Sequence, residues 1–442
     1  MPEPDENADA YQTAREEALS WLRANWDPAL PVREWWARLA DSGWGFPSWP
    51  TEWFGRGLSA DAAAGVRSAY AAAGVLPPPT GLGQMLGGPM LLVHGSQEQK
   101  ARFLPALVRG EEMWCQFFSE PGSGSDLASA QTRAVPDSTG RGAGWTVNGQ
   151  KVWTSGAQWS DRGMLLARTN REVPKHHGLS FFIIDLNQPG IQVRPLHQMN
   201  GDHGFNEVFF TDAHVDDDRL VGEAGNGWSV AVTVLMFERL MSGVPSVMPG
   251  SKGGNLDGPA GAAAERAARA RAAGRTSISD LILSTAAALA ETNDPVLRQR
   301  LAQLRAKETI NGYLARSGQG ARGQSPAAGS GGGPTGRGRP ERRPSSQGSL
   351  VKLARSQLTR EGRDTGMAVL GAQGMLASPD TPGGGEIQHR ALSAAGSSIA
   401  GGTDEIQRGI VGERVLGLPK EPRTDRDVPF KDLTIGTQRP GS

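Results

Sequence analysis

Apolar residues recur at three- and four-residue spacing over residues 11–26 and again over 32–42, which predicts two amphipathic helices. Asp41-Ser42-Gly43 and Trp49-Pro50 punctuate them. A further helix is predicted over 84–94, and Ser96-Gln97-Glu98-Gln99 has the form of a capping box opening another through Leu107. Trp21, Trp35, Trp36 and Trp44 are read as helix-packing and core residues. From about residue 113 to 221 the pattern changes to alternation, rich in Val, Phe, Thr and Trp. Strands are predicted over 115–119, 145–154, 163–168, 179–185, 191–196 and 207–211, with Gly, Asn, Asp and Pro between them. Short strands at this spacing predict a small antiparallel barrel or sandwich. Asn148-Gly149, between two alternating runs, predicts a hairpin turn. Helical pattern returns at Gly227 and runs to about Val415.

Two loops interrupt that last region. Residues 317–348 contain a Gly-Ser-Gly-Gly-Gly-Pro run and Arg337, Arg339, Arg342 and Arg343, a composition too poor in apolar residues to order itself. Residues 250–261 are the second. The tail after Pro419 is polar and is expected either to wrap a neighbour or to stay unordered.

Composition narrows the function classes. The 442 residues carry 46 basic and 46 acidic side chains, so no global charge argues for nucleic acid or an anionic membrane as partner. The single cysteine, Cys115, excludes an intrachain disulfide framework. The acidic start lacks the apolar stretch of a signal peptide. The longest strongly apolar run, near 179–186, is far short of the roughly 20 residues a membrane span requires. Seven scattered histidines offer no zinc spacing, and no metal is expected. A cytoplasmic, glycine-rich protein is the expectation.

Three segments carry candidate chemistry. Ser119-Glu120-Pro121-Gly122-Ser123-Gly124-Ser125-Asp126 follows a predicted strand; its small residues allow close backbone approach and its hydroxyls offer donors. It is neither a phosphate-binding Walker loop nor a Rossmann fingerprint. The second segment is Asn148-Gly149-Gln150-Lys151-Val152-Trp153-Thr154-Ser155-Gly156. The third is Ile399-Ala400-Gly401-Gly402-Thr403-Asp404-Glu405-Ile406-Gln407-Arg408, followed by Arg414-Val415-Leu416-Gly417-Leu418-Pro419. In this order and in this α–β–α setting they resemble the acyl-CoA dehydrogenase family, over about residues 44–419 apart from the Gly/Arg-rich insertion.

The resemblance implies an α+β chain. Its parts would be an N-terminal helical domain (1–113), a middle antiparallel β-barrel domain (114–222), a C-terminal four-helix bundle (223–419) and a polar tail (420–442). It implies FAD as cofactor and an acyl-CoA as substrate. Ser119 would bond the flavin pyrimidine edge, Trp153 would pack on the isoalloxazine, and Ser155 would lie near N5. Gln373 and Gly374, with Thr403 and Glu405, would reach FAD phosphates and ribose, commonly across a subunit interface. Ser125 would lie near the CoA pantetheine, and Arg239 is placed with the substrate. The implied reaction takes the α-proton of an acyl thioester and passes the β-hydride to flavin, with an electron-transfer flavoprotein as acceptor. The Gly401 N–H would polarise the thioester carbonyl.

Two departures matter. Many relatives have Glu-Gly-Thr where this chain has Gly401-Gly402-Thr403, so the usual base is absent. A subset places the base on the first helix after the β domain, a position that falls on Glu238 in Phe237-Glu238-Arg239-Leu240. A glutamate in that apolar run requires a task or a partner. The alternative to catalysis is a structural ion pair, to Arg239 or Arg271. Asp404 and Glu405 are expected to face FAD or a helix N-terminus. The small Ala400 and Gly401 leave volume for a branched or cyclic acyl group. Relatives often carry an Arg-x-x-Phe-Gly segment, but no Phe occurs here between Phe237 and Phe430. A homo- or hetero-oligomer, dimer or tetramer, therefore stays open, as do a partner-subunit role and a flavin oxidase or monooxygenase on the same fold. A nucleic-acid reading rests only on the arginines of 337–343.

Overall fold

The structure, a computed structural model, describes residues 6–138, 142–241, 255–274, 277–320, 347–422 and 425–433. Five helices come first: α1 (Glu6–Asn25), α2 (Val32–Ser42), α3 (Ala60–Ala73), α4 (Gly88–His94) and α5 (Gln97–Val108). Seven strands follow: β1 (Trp114–Phe117), β2 (Arg133–Pro136), β3 (Gly144–Ser155), β4 (Arg162–Arg168), β5 (Leu179–Asp185), β6 (Ile191–Leu196) and β7 (Phe205–Asp216). The chain then returns to helices: α6 (Gly227–Met241), α7 (Ala260–Gly274), α8 (Ile278–Ala288), α9 (Pro295–Gly320), α10 (Gln347–Leu370), α11 (Glu386–Ser397) and α12 (Asp404–Ile410). No helix among the described residues is long and apolar enough to cross a membrane.

Two compact units emerge. One draws on Met1–Asn25, Gly57–Gly74 and Arg269–Lys420, the other on Trp26–Arg56, Val75–Ala268 and Glu421–Ser442. The second unit holds the sheet, in the order β1-β4-β2-β3-β7-β6 with β5 also paired to β4. One apolar cluster packs α4, α5 and α6 against it through Phe103, Leu107, Trp114, Phe181, Val230 and Val234. A second cluster on the sheet includes Phe117, Val147, Leu165, Phe182 and Phe210. In the first unit, Ile282, Leu301, Leu304, Val369 and Ile387 join α8, α9, α10 and α11.

The α5 start behaves as its sequence predicts. Ser96 Oγ accepts from the Gln99 amide at 3.2 Å, and Gln99 Oε1 accepts from the Ser96 amide at 3.1 Å. Trp35, Trp36 and Trp44 are buried, and Trp21 is half-buried.

Three expectations change. The sheet is mixed, not wholly antiparallel: β1 runs parallel to β4, Cys115 opposite Gly163. The cause lies just ahead of the strands, where the Asp161 amide donates to Met113 O at 2.7 Å and Asp161 Oδ2 accepts from the Met113 amide at 2.9 Å. The two strands are pinned together at their starts. Asn148-Gly149 is no hairpin turn but an irregularity inside β3, with the register shifting between Val147 and Gly149. A Cβ on Gly149 would stand 2.6 Å from Thr132 Oγ1, so a glycine is required by close approach rather than by a turn. The tail is not wholly unordered: residues 425–433 pack on their own chain, with Phe430 buried.

The Gly/Arg-rich insertion is helical at both ends, since α9 reaches Gly320 and α10 begins at Gln347. Its residues 321–346, the four arginines among them, lie outside the described residues, as do 250–254 of the second loop and 434–442 of the tail.

Candidate active site

In the sheet-bearing unit the loop after β1 is built around a buried carboxylate. Glu120 and Ser123 exchange backbone hydrogen bonds of 2.9 and 3.0 Å, closing the turn. The Glu120 carboxylate accepts from the Gln131 amide at 2.6 Å, from the Thr132 amide at 2.9 Å and from Lys151 Nζ at 2.8 Å. Lys151 is fully buried and also donates to Phe118 O at 3.0 Å. Burial works against the Glu120 carboxylate, but Lys151 and the amides outweigh it and hold the group below the usual carboxylate range. The pair fastens the loop to β3.

That fastening sets what lies on either side. Val152 N donates to Ser119 O at 2.9 Å, which brings Ser119 beside the strand carrying Trp153. Trp153 has a left-handed φ of 60°, at a register shift between Lys151 and Thr154, and its side chain is 60 % exposed. The indole meets Phe205 edge-on at 6.0 Å. Trp153 is thus an indole held out of the core on a strained backbone position. Ser155, two residues on, is exposed, Ser119 is half-buried, and Ser125 stands exposed at the far end of the loop. The buried Thr154 Oγ1 and Asn206 Oδ1 have no hydrogen-bond partner among the described residues.

The same unit holds Glu238. Helix α6 opens after Gly225, whose amide donates to Ser180 Oγ at 2.9 Å, and Trp228 meets His176 edge-on at 4.8 Å. Val230, Val234 and Glu238 follow at four-residue spacing, so the core-facing stripe of α6 leads to the carboxylate. Glu238 is half-buried, and Gln116 Nε2 from β1 donates to its Oε2 at 3.3 Å. Burial pushes the carboxyl above the ordinary carboxylate range; the Gln116 hydrogen bond and the Arg239 charge oppose it and are outweighed. One turn and more before it, Thr233 Oγ1 meets His94 Nε2 at 2.8 Å, and burial lowers the pKa of that imidazole.

The other unit holds the C-terminal motif. Gly401 and Gly402 have φ of 65° and 89°, a turn open to glycine and strained for other residues. Gln407 Nε2 donates to Gly401 O at 2.8 Å, and Thr403 Oγ1 caps α12 by accepting from the Ile406 amide at 3.3 Å. Glu405 is exposed and pairs with Arg408 at 3.3 Å. Asp404 departs from expectation: it faces α10, bonding Lys352 Nζ at 3.2 Å, Ser356 Oγ at 2.6 Å and Arg360 Nη1 at 2.5 Å. Burial alone would raise its pKa, but those three partners hold it far below the usual range. Gln373 is exposed and Gly374 buried in the short turn Gly371–Met375, held by Gln388 Nε2 on Leu376 O at 2.7 Å.

Sequence reasoning missed several of these residues. Glu120 and Lys151 stood inside quoted motifs, and their opposite charges in apolar surroundings were the signal. Lys352, Ser356 and Arg360 repeat every four residues on one helix, a legible stripe. Gln116 carried none.

The residues present fit an FAD. An exposed indole and the flanking hydroxyls of Ser119 and Ser155 form a set suited to a planar heteroaromatic edge.

Comparison with known proteins agrees. Residues 6–111 match the acyl-CoA dehydrogenase N-terminal domain, 115–213 its middle domain and 225–416 its C-terminal domain. Acyl-CoA dehydrogenase IpdE1 of Mycobacterium tuberculosis is 37 % identical over 398 residues, 88 % of this chain and 89 % of that protein. Acyl-CoA dehydrogenase FadE26 of the same organism is 30 % identical over 421 residues, 92 % of this chain and 93 % of that one. The Tcur3481-Tcur3483 steroid ACAD shares the fold at a TM-score of 0.64 and 24 % identity, covering 93 % of this chain and 98 % of that one. The ChsE4-ChsE5 complex from Mycobacterium tuberculosis superposes at 0.62 with 25 % identity, covering 95 % of this chain and all of that one (100 %). With three domains matched in order and a relative aligned over most of both chains, this chain belongs to the acyl-CoA dehydrogenase family of FAD-dependent oxidoreductases.

Proposed function

We propose that Glu238 is the base of this dehydrogenase, and that it takes the α-proton of a branched or bulky acyl-CoA on the way to the trans-2-enoyl-CoA. One observation carries the reading: the Glu238 carboxyl ends the apolar stripe of α6, and burial raises its pKa. An α-C–H is a weak acid, and its removal favours a base whose pKa lies near the working pH. Ionised Glu238 receives that proton on its carboxylate, while Gln116 steadies Oε2. The Gly401 N–H is assigned to the thioester carbonyl, and Ser125 and Arg239 to the rest of the acyl-CoA.

Bound FAD would supply the acceptor for the β-hydride. Ser119, Trp153 and Ser155 are assigned to its ring system, and Gln373, Gly374, Thr403 and Glu405 to its phosphates and ribose. The Thr403 hydroxyl also caps α12. Electrons are assigned onward to an electron-transfer flavoprotein. The small residues Ala400 and Gly401 support a bulky acyl group.

A second reading makes this chain one partner of a two-chain enzyme. The likeness to the ChsE4-ChsE5 complex and the lack of an Arg-x-x-Phe-Gly segment favour it. Both are tested by purifying the chain alone and adding linear, branched and cyclic acyl-CoAs without oxygen. Bleaching of the flavin band by a bulky thioester, lost in Glu238→Gln, supports the base. Equal bleaching by every thioester counts against a bulky substrate, and bleaching that survives Glu238→Gln counts against the base. A colourless chain favours the two-chain enzyme.

A further inference from the structure

The match to the family's C-terminal domain ends at residue 416, yet the chain continues and comes back to the sheet. Residues 425–433 lie along the connection between β4 and β5. The Phe430 amide donates to Val173 O at 2.9 Å and the Lys431 amide to Arg171 O at 3.0 Å, while Pro429 and Pro174 form a bridge. Lys431 Nζ pairs with Glu172. Phe430 is 1 % exposed, and its ring lies 3.6 Å from the Arg168 guanidinium carbon.

Both principal anchors of this segment are shared with the loop after β1. Arg168, itself buried, donates through Nη2 to Ala128 O at 2.6 Å and to Ala130 O at 3.1 Å. Lys175 Nζ bonds Asp425 at 2.9 Å and Asp126 at 3.0 Å. Asp126 in turn accepts from Ser129 Oγ at 2.5 Å, and its carbonyl accepts from Ser123 Oγ at 2.7 Å. A guanidinium with one face against an aromatic ring and its N–H groups on carbonyls keeps few alternative orientations. Removing the ring frees that face, and the carbonyls of residues 128 and 130 lose a fixed donor.

We propose that residues 425–433 are a strap that positions the 119–130 loop for the CoA portion of the substrate, acting through Arg168 and Lys175. Phe430 and Asp425 are thus positioning residues; neither touches the reacting carbons. The inference rests on the assignment of Ser125, in that loop, to the acyl-CoA. A loosened loop weakens binding of the handle without altering proton removal, so the effect falls on KM and not on kcat.

The test uses the full-length chain with Phe430→Ala, Asp425→Asn and Phe430→Tyr, the last keeping an aromatic face under Arg168. Three quantities are read: amide hydrogen exchange across 119–131, the dissociation constant of free CoA, and kcat and KM for a thioester that bleaches the flavin. In Phe430→Ala, exchange across 119–131 speeds up about tenfold, and the CoA dissociation constant and KM rise together by about three- to tenfold. The kcat stays within about twofold, and Phe430→Tyr restores all three. Asp425→Asn gives a smaller change in the same direction and carries the test should Phe430→Ala not fold. Faster exchange confined to 425–433 and 170–177, with CoA affinity unchanged, overturns the proposal; so does a wild-type chain that does not bind CoA. Exchange and CoA binding are read without turnover. A wild-type chain that binds CoA but oxidises no thioester therefore counts against dehydrogenation by this chain alone and not against the strap.

Discussion

Asp404 and Glu238 each turn an acidic side chain toward a neighbouring element, and the company each keeps is different. Asp404, in the C-terminal motif, meets two cations and a hydroxyl from a single helix: Lys352, Arg360 and Ser356. Their combined field outweighs burial, and the carboxylate stays ionised far below its ordinary pKa. Glu238, in the sheet-bearing unit, meets a neutral amide at 3.3 Å and the charge of its chain neighbour Arg239. There burial wins and the pKa rises. A carboxylate ringed by cations is a tether and a feeble base; one whose desolvation outweighs its hydrogen bond and neighbouring charge has a raised pKa suited to accepting a proton. Electrostatic setting, not residue type, separates Asp404 from the proposed base Glu238.

The contrast predicts a double dissociation. Glu238→Gln lowers the rate of anaerobic flavin bleaching by about 10³-fold, within the range of general-base deletions. Its urea midpoint does not fall at pH 8, because a raised folded-state pKa makes the ionised carboxyl a cost to folding above the unfolded value of about 4.3. A bleaching rate within tenfold of wild type breaks the comparison.

Asp404→Asn reverses the pattern. Stability falls by about 3 kcal/mol, the low end for breaking a buried pair, since Lys352 is left uncompensated while Arg360 is about a third exposed (32 %). Urea denaturation measures it. The pH dependence follows from the sign of the shift: the folded pKa is depressed. The contribution is therefore complete above the unfolded value of about 3.9 and is lost as pH falls below it. Wild type loses stability more steeply than Asp404→Asn on going from about pH 5 to pH 3. Parallel curves for the two proteins leave Asp404 without its assigned role.

How much of this was legible follows from how local each signal is. The α5 cap was, because Ser96 and Gln99 satisfy each other's amides within one turn. Strands β5 and β6 have the predicted bounds because short apolar runs between turn residues leave few alternatives. Helix α3 was not read, its alanine-rich stretch giving little periodicity, and β2 is four residues ending in proline. Asn148-Gly149 misled because the dipeptide reports a glycine requirement without its cause, here the approach of Thr132. Glu238 was legible as an acid in an apolar run. Gln116, which meets it from 122 residues away, was not, since no local pattern encodes a contact across that separation.

Gln116 is also where the comparison is sharpest. Its amide donates to Glu238 Oε2 and so favours the ionised form, but at 3.3 Å the bond is long and its contribution is second to burial. Gln116→Leu removes that opposition without adding charge, so the Glu238 pKa rises further. The acid limb of kcat/KM, on which activity appears as the base ionises, moves to higher pH by less than about one unit. On the alkaline plateau, where the base is ionised in both proteins, the rate stays within a few-fold. Asp404→Asn leaves that limb where it is, because the Asp404 charge is already compensated by Lys352 and Arg360 on α10. A limb that moves to lower pH in Gln116→Leu places the ionisation elsewhere. A limb that moves with Asp404→Asn makes the two carboxylates one coupled system, and their contrast would then lie in timing of protonation and not in role.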